Sequence, residues 1–363
     1  MQLDRREFAV VRAVLASGHL REGRITAEFE NEFARACGTR FAIAVNSGTA
    51  ALFLAYKALL EPGGEIIVPD FTFAATATMA VAAGMRPVFA DVDPETFTLS
   101  PAAVERCLTR RTLAIAPVHL YGRPADVSGL ARLARRHKLR VIWDAAQAHG
   151  ARFRGRDVGA FPNAVCYSFY PSKNMTTGEG GMITTSDAKL AEKLRLLRSH
   201  GEAERYRHTL VGYNFRLTDI AAALGRVQLK KLNGALRLRR RNARLLTQGL
   251  EGLPGIMTPC VPAGAAHAFC LYTISVDSKK LGMSRDDFQL ALLRRGIQSA
   301  VHYPTPLHRQ PIFQGYGNDR DFPVSTRLAE SVLSLPVHPS LKQKDLKRIV
   351  SAVREVVEKS RRG

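Results

Sequence analysis

Short apolar runs alternate with amphipathic stretches over the first half of the chain. The apolar runs have the length of buried strands and lie at residues 41–45, 65–68, 86–90, 113–118, 140–143, 164–168 and 181–184. Between them, apolar residues recur at helical spacing, as at Leu190, Leu194 and Leu197. Strands that alternate with helices predict a mostly parallel sheet covered by helices. We therefore expect an α/β fold.

The second half of the chain has a different pattern. Residues 200–216 form a polar, aromatic segment, and a long basic helix is predicted from Thr218 to about Leu250. Beyond it, residues 268–276 and 298–302 have strand patterns, and residues 342–359 predict a closing helix. A chain of 363 residues is long for one compact core. We expect a large domain over residues 1–240 and a smaller C-terminal α/β domain over residues 241–363.

Chemically useful residues follow three of the predicted strands directly. Asn46-Ser-Gly-Thr49 follows the first strand and begins a helix, and Asp144 follows the fifth strand. Ser168 ends the sixth strand, and Lys173 comes five residues later, before a glycine-rich turn. Ligands of an open α/β sheet bind beyond the carboxyl ends of its strands. These residues should therefore meet at one edge of the sheet.

Each of these residues also has an ordinary structural interpretation. Ser47-Gly48-Thr49 could be a helix cap alone, Asp144 a buried acid that caps the next helix, and Lys173 a solvated loop lysine. Together they are the three parts that pyridoxal 5′-phosphate (PLP) requires. A lysine forms a Schiff base with the aldehyde, an aspartate keeps the pyridine nitrogen protonated, and a helix start binds the phosphate. The sequence therefore predicts a PLP site and no metal site.

Longer motifs make the prediction more specific, and they extend over nearly the whole chain. They are Phe29–Phe33, Asn46–Leu52, Val68–Thr76, Asp144–Gly150, Ser168–Lys173, Thr177–Gly181, Gly212–Arg216 and His302–His308. In these motifs the chain resembles the DegT/DnrJ/EryC1/StrS family of sugar aminotransferases. The resemblance implies the PLP-dependent transferase fold type I: a large domain with a mainly parallel seven-stranded sheet, and a smaller C-terminal α/β domain. It also implies an obligate homodimer with shared active sites.

The resemblance assigns roles to single residues. Lys173 would carry the Schiff base and move the proton, and Asp144 would pair with the pyridinium nitrogen. The other cofactor contacts that it implies are Gln147 near the ring hydroxyl, Gly48, Thr49 and Ser168 at the phosphate, Phe73 on the ring face, and Asn214 from the other subunit. His302, Tyr303 and His308 would border the substrate cleft. Two alternatives stay open, because Phe73 could be a core aromatic residue and His308 a structural one.

The family also suggests a reaction. The amino group would pass from glutamate or glutamine to a keto group of a nucleotide-diphosphate sugar, and we take a 4-keto-6-deoxyhexose as the leading acceptor. The product would serve surface-polysaccharide or secondary-metabolite synthesis. A 3-keto sugar and a keto-inositol remain alternatives. A sugar dehydratase of the same fold is disfavoured because that branch has histidine in place of Lys173.

The net charge of +21 is unusual. Much of it lies in two predicted helical runs without acids, from Lys230 to Arg244 and from Arg132 to Arg140. We interpret them as solvated helix faces that attract anionic substrates in general. A regulatory or nucleic-acid-binding protein on the same fold is a remote alternative, since no aromatic residues interleave with these runs.

The cysteines and the N-terminus bear on location. Five scattered cysteines without a CxxC pair are typical of reduced, cytosolic thiols. The charged N-terminus has no targeting pattern, and the longest uncharged run, residues 71–85, is too short to span a bilayer. We expect a cytoplasmic enzyme without membrane contact.

Overall fold

A computed structural model describes residues 3–360 of the chain. Over that range the strands are β1 Phe41–Val45, β2 Glu65–Pro69, β3 Arg86–Ala90, β4 Thr112–Ile115, β5 Arg140–Asp144, β6 Arg152–Phe153, β7 Arg156–Asp157, β8 Ala164–Ser168, β9 Gly181–Thr185, β10 Glu202–Glu204, β11 Arg207–His208, β12 Ile256–Met257, β13 Ala265–Ala266, β14 Tyr272–Val276 and β15 Val332–Leu335. The helices are α1 Arg5–Ser17, α2 Arg24–Cys37, α3 Gly48–Leu59, α4 Ala75–Ala82, α5 Pro101–Arg106, α6 Val127–Arg136, α7 Ala188–Arg198, α8 Asp219–Leu250, α9 Ser278–Leu281, α10 Arg285–Arg294, α11 Pro323–Ser331 and α12 Gln343–Ser360. No helix in this range combines the length and the apolarity that a bilayer crossing requires.

The seven strands of the first half form one sheet in the order β1-β9-β8-β5-β4-β2-β3. Strand β9 is antiparallel to both of its neighbours, while the pairs from β8 to β3 are parallel. The mainly parallel seven-stranded sheet is therefore confirmed, with strand bounds close to the predicted ones. Parallel pairs need crossover connections: α4, α5 and α6 lie in those that lead from β2 to β5, and residues 145–163, without an α-helix, lead from β5 to β8. Consequently β5, β8 and the chain entering α3 deliver their polar ends to the same edge.

Both faces of this sheet are buried, which explains why its strands are continuously apolar. In β5, Ile142 packs into the core on one face and Trp143 into the core on the other. Asp144 ends the strand with 5% of its surface exposed. A carboxylate at the end of a strand that is fixed on both faces has little freedom to move.

The small-domain core is formed by the second half of α8, β12, β14, β15, α10 and α12. Helix α8 is unbroken from Asp219 to Leu250, so the predicted boundary at residue 240 lies inside it. Leu307, Phe313 and Phe322 pack with the core of the large domain instead. The division into residues 1–240 and 241–363 therefore remains a proposal.

The strand predicted at residues 298–302 is wrong. Only Ala300 pairs there, with Ser334, through two backbone hydrogen bonds of 3.0 and 2.8 Å. Tyr303 has a φ of 63° and is followed by a proline, so the chain turns away after a single bridge. The strand predicted at residues 268–276 begins later, at Tyr272, while the closing helix is confirmed.

The basic run on α8 is only partly solvated, which corrects the prediction. Arg239 is 8% exposed, and its guanidinium donates to the carbonyl of Phe269 at 3.0 Å. Arg240 donates to the carbonyls of His267 and Gly150 at 3.0 and 2.9 Å. These arginines tie α8 to residues 267–269 and to Gly150. The run from Arg132 to Arg140 meets the expectation, because all five of its basic residues are exposed: Arg132, Arg135, Arg136, Lys138 and Arg140.

Candidate active site

A cavity of about 770 Å³ opens at the carboxyl edge of the main sheet. Nine of the eleven predicted site residues line it: Gly48, Thr49, Phe73, Asp144, Gln147, Ser168, Lys173, His302 and Tyr303. The large domain contributes the first seven, and the segment that follows α10 contributes the last two. The predicted convergence at the sheet edge is therefore present in the fold.

One wall of the cavity is the beginning of α3. Ser47 caps this helix by accepting a hydrogen bond from the backbone of Ala50 at 3.0 Å. Among residues 3–360, the backbone N–H groups of Gly48 and Thr49 have no acceptor. A Cβ at position 48 would lie 2.6 Å from Cβ of Ser168, so only glycine lets the two segments approach this closely. Two free N–H groups at a helix start, beside a hydroxyl, form a site for a phosphate.

Asp144 is held rigidly at the other end of the cavity. Its Oδ1 accepts a hydrogen bond from the backbone of Ala146 at 3.0 Å, and its Oδ2 accepts one from the hydroxyl of Thr76 at 2.9 Å. Burial raises the pKa of this carboxyl, and the two hydrogen bonds and the charge of Lys173 oppose that rise. The carboxylate thus has few partners and attracts a cationic group strongly.

Lys173 lies on the loop between β8 and β9, and several hydrogen bonds fix that loop. The backbone of Lys173 donates to Tyr170 at 2.9 Å, the side chain of Asn174 donates to Ala268 at 3.0 Å, and Thr176 donates to Phe169 at 2.7 Å. The lysine itself is half-buried and lines the cavity. A loop fixed by these bonds therefore places Lys173 in the wall of the cavity that Asp144 and the start of α3 also line.

Three other predicted residues on the cavity wall differ in their exposure and hydrogen bonds. Phe73 is 60% exposed and is not a core aromatic residue. Gln147 is buried, and its side-chain amide donates a hydrogen bond to the hydroxyl of Tyr303 at 2.7 Å. His302 accepts or donates a hydrogen bond with the hydroxyl of Ser334 at 3.1 Å, and burial lowers its pKa.

Two predicted residues do not line the cavity. His308 is buried behind it, where its two ring nitrogens bond Asp70 at 2.7 Å and Asp319 at 2.9 Å. This contact fastens residues 302–310 to the end of β2, which fits the structural alternative for His308. Asn214 is exposed on the segment between α7 and α8.

Sequence reasoning missed several residues of the site. Thr76 is the last residue of the Val68–Thr76 motif. Its place on the first turn of α4, three residues after Phe73, could have indicated that it lies near the site. Tyr121 contacts Gln147 from the loop after β4, and Cys270, Glu179 and Gln310 line the cavity. These contacts join segments distant in the chain, and no local pattern indicates them.

The donors in the cavity fit PLP well. Free N–H groups and the Ser168 hydroxyl suit a phosphate, a buried carboxylate suits a protonated pyridine nitrogen, and a lysine lies between them. The exposed ring of Phe73 offers an apolar face to a flat heterocycle. Gly48, Thr49, Ser168, Asp144 and Lys173 would hold the cofactor.

Comparisons with known proteins identify the family of the chain. Residues 1–354 match the model of the DegT/DnrJ/EryC1/StrS aminotransferase family. The chain is 43% identical over 330 residues to UDP-N-acetyl-3-dehydro-alpha-D-glucosamine 3-aminotransferase of Acidithiobacillus ferrooxidans, which covers 90% of this chain and 87% of that protein. It is 40% identical over 354 residues to dTDP-3-amino-3,4,6-trideoxy-alpha-D-glucose transaminase of Streptomyces venezuelae, covering 97% and 92%.

A solved structure is similar in fold as well. The crystal structure of S. venezuelae DesV in complex with a ketimine intermediate superposes with a TM-score of 0.93 at 40% identity, covering 97% of this chain and 94% of that one. The fold, the geometry of the site and the family match lead to one conclusion. The chain belongs to the DegT/DnrJ/EryC1/StrS aminotransferase family and is a PLP-dependent aminotransferase.

Proposed function

We propose that the protein transfers an amino group from glutamate or glutamine to a keto group of a nucleotide-diphosphate sugar, in two half-reactions. The observation that carries the proposal is the meeting of Lys173, Asp144 and the start of α3 in one cavity. Its volume of about 770 Å³ lies in the range of sites for ligands of substantial size. Of the two relatives, one is named for a 3-dehydro nucleotide sugar and the other for a 3-amino nucleotide sugar.

The residues of the chain have distinct tasks in this reaction. When bound, PLP withdraws electrons from the substrate carbon that loses a proton. Asp144 keeps the proton on the ring nitrogen, because its buried carboxylate is more stable beside a cation than alone. Nζ of Lys173 holds the cofactor in the resting enzyme and then moves the substrate proton. Gly48, Thr49 and Ser168 hold the phosphate, and Phe73 supports the ring.

The sugar carbon that receives the amino group is the feature of the substrate that distinguishes the alternatives. From the family resemblance, the leading acceptor was a 4-keto-6-deoxyhexose. The names of the two relatives both specify nitrogen at position 3, which favours the 3-keto alternative. We therefore place a 3-keto nucleotide sugar first, a 4-keto sugar second and a keto-inositol third.

We further propose that the enzyme works as a homodimer with shared sites. Apart from Lys173, no lysine or arginine in residues 3–360 lines the cavity, although a sugar diphosphate is anionic. The segment of residues 200–216 carries Asn214 and several arginines, and Tyr206 and Val211 on it are 79% and 81% exposed. Such a segment can complete the cavity of a second subunit.

We place this reaction in the cytoplasm. All five cysteines are free thiols in the fold, as in a reducing compartment. The regulatory and nucleic-acid-binding alternative leaves the arrangement of Lys173, Asp144 and α3 unexplained.

The acceptor can be identified with the pyridoxamine form of the enzyme. Mixing it with matched 3-keto and 4-keto nucleotide sugars, and with a keto-inositol, should return the cofactor absorbance only for the true acceptor class. NMR of the product then gives the position of the amine. Return of absorbance with keto-inositol alone would contradict the nucleotide-sugar proposal.

A further inference from the structure

Gln147 is held from two sides in a single orientation. Its Oε1 accepts a hydrogen bond from the backbone of Tyr121 at 2.6 Å, and its Nε2 donates to the hydroxyl of Tyr303 at 2.7 Å. A backbone N–H can only donate, so the amide oxygen must face Tyr121 and the amide nitrogen must face Tyr303. This assignment leaves one N–H of Nε2 without an acceptor among residues 3–360, on a side chain that lines the cavity.

Tyr303 is itself held in an unusual conformation. Its φ of 63° lies in the left-handed region, which is strained for a bulky residue. Its ring stacks on Tyr121 with centroids 6.1 Å apart and an angle of 6° between planes, and it meets Phe71 edge-on at 5.9 Å. Tyr121 has a φ of 59°. Backbone strain kept by surrounding contacts is commonly found at functional sites.

The two stacked tyrosines differ in their hydroxyl groups. The hydroxyl of Tyr303 bonds Gln147, whereas that of Tyr121 is buried without a partner in residues 3–360. Burial, together with the charge of Asp144, raises the pKa of Tyr303, so its hydroxyl stays neutral. Only one of these rings can therefore act on Gln147 through its oxygen.

We propose that Tyr303 is a positioning residue: its hydroxyl locks the amide of Gln147 so that the free N–H of Nε2 meets the anionic ring oxygen of the cofactor. The assignment rests on the proposed function. Gln147 follows Asp144 by three residues on the same turn, and Asp144 sets the position of the pyridine nitrogen. Without Tyr303, the amide keeps its bond to Tyr121 but is free to tilt away from the ring oxygen.

The consequence is a change in the proton affinity of the lysine–cofactor linkage. The negative ring oxygen stabilises a proton on the linkage nitrogen, and an N–H donor to that oxygen weakens this effect. Loss of a well-aligned donor should therefore raise the pKa of the linkage. A hydrogen bond to a charged group is worth enough to give a shift of about one unit.

The test compares two matched variants of the holoenzyme. Tyr303→Phe and Tyr121→Phe each remove one hydroxyl from the same stacked pair. Absorbance of the bound cofactor is titrated against pH, and thermal unfolding checks the fold. We expect an upward shift of about one unit in Tyr303→Phe and the wild-type value in Tyr121→Phe. A third variant, Gln147→Leu, should show the same upward shift, and adding Tyr303→Phe to it should shift the pKa no further.

Three outcomes would overturn the assignment. An unshifted Tyr303→Phe would do so, as would equal shifts in both tyrosine variants, because packing would then be the cause. A full additional shift in the Gln147→Leu background would mean that Tyr303 acts on the cofactor directly. Wild-type protein that forms no cofactor band would instead overturn the proposed function, and the assignment with it. The cofactor absorbance band therefore tests the proposed function, and the comparison of the two tyrosine variants tests the role of Tyr303.

Discussion

Replacement of Thr76 by valine should destabilise the ionised form of Asp144 without changing a residue that lines the cavity. The hydroxyl of Thr76 donates to Oδ2 of Asp144 at 2.9 Å, and both groups are buried. Valine keeps the branched shape of the side chain on α4 and removes only the donor. The carboxylate then loses one of the two hydrogen bonds that oppose the effect of burial on its pKa.

The size of the effect can be estimated from that single contact. A hydrogen bond to a charged group contributes about 1.5–3 kcal/mol. One pKa unit corresponds to about 1.4 kcal/mol, so the pKa of Asp144 should rise by about one to two units. A protonated Asp144 cannot retain the proton on the ring nitrogen. The acid limb of the kcat profile should therefore move to higher pH by a similar amount, and turnover should recover in alkaline buffer.

The assay is kcat against pH for wild type, Thr76→Val and Thr78→Val. Thr78 lies one half-turn further along α4, and its hydroxyl bonds only the carbonyl of Ala74 at 3.1 Å. The Thr78→Val profile should match wild type. An acid limb in Thr76→Val that coincides with the wild-type limb would refute the claim that this hydroxyl supports the ionised carboxylate. Equal displacement in both variants would point to a general effect of α4.

Three further predictions concern other parts of the molecule. Lys173→Ala should abolish transamination while circular dichroism and the dimer stay unchanged, and undiminished turnover would contradict the role of its amine. Mixed dimers of Lys173→Ala and Asn214→Ala chains should recover part of the activity after subunit exchange; an activity equal to the sum of the parents would contradict shared sites, provided that Asn214→Ala alone is impaired. Burial raises the pKa of Asp157 from its usual value of 3.8 to about 6, so its protonated form favours the fold. Its contribution of about 3 kcal/mol should be present below pH 4 and lost as the pH rises to about 6. The free energy of unfolding in urea, measured across that pH range, should depend less on pH in Asp157→Asn than in wild type. An equal pH dependence in the two proteins would show that Asp157 is not its source.

The sequence predicted the main sheet well because its strands are short, apolar and separated by capped helices. The residues at the strand ends, Asp144 and Ser168, were predictable for the same reason: parallel strands share one carboxyl edge. The turn at Gly48, which we propose binds the phosphate, required only the position of the helix start. Local pattern and topology together were sufficient for these parts.

Other features depend on contacts between distant segments. The bonds from Thr76 to Asp144 and from Gln147 to Tyr303 join residues 68 and 156 positions apart. Gln298–His302 had the composition of a strand, but the left-handed turn at Tyr303 ended it after one pair. Arg239 and Arg240 were predicted to be solvated. The carbonyl groups to which they donate hydrogen bonds come from segments that are adjacent only in the folded protein. None of these outcomes has a local signal in the chain.

The absorbance spectrum of the purified holoenzyme through both half-reactions tests the central claim most directly. Glutamate or glutamine should bleach the band of the lysine-bound cofactor, and a keto nucleotide sugar should then restore it with formation of one aminated sugar per site. Lys173→Ala, which lacks the amine, should show neither change at a catalytic rate. A wild-type spectrum that does not respond to any amino donor, or a bleached form that no keto sugar restores, would contradict the account.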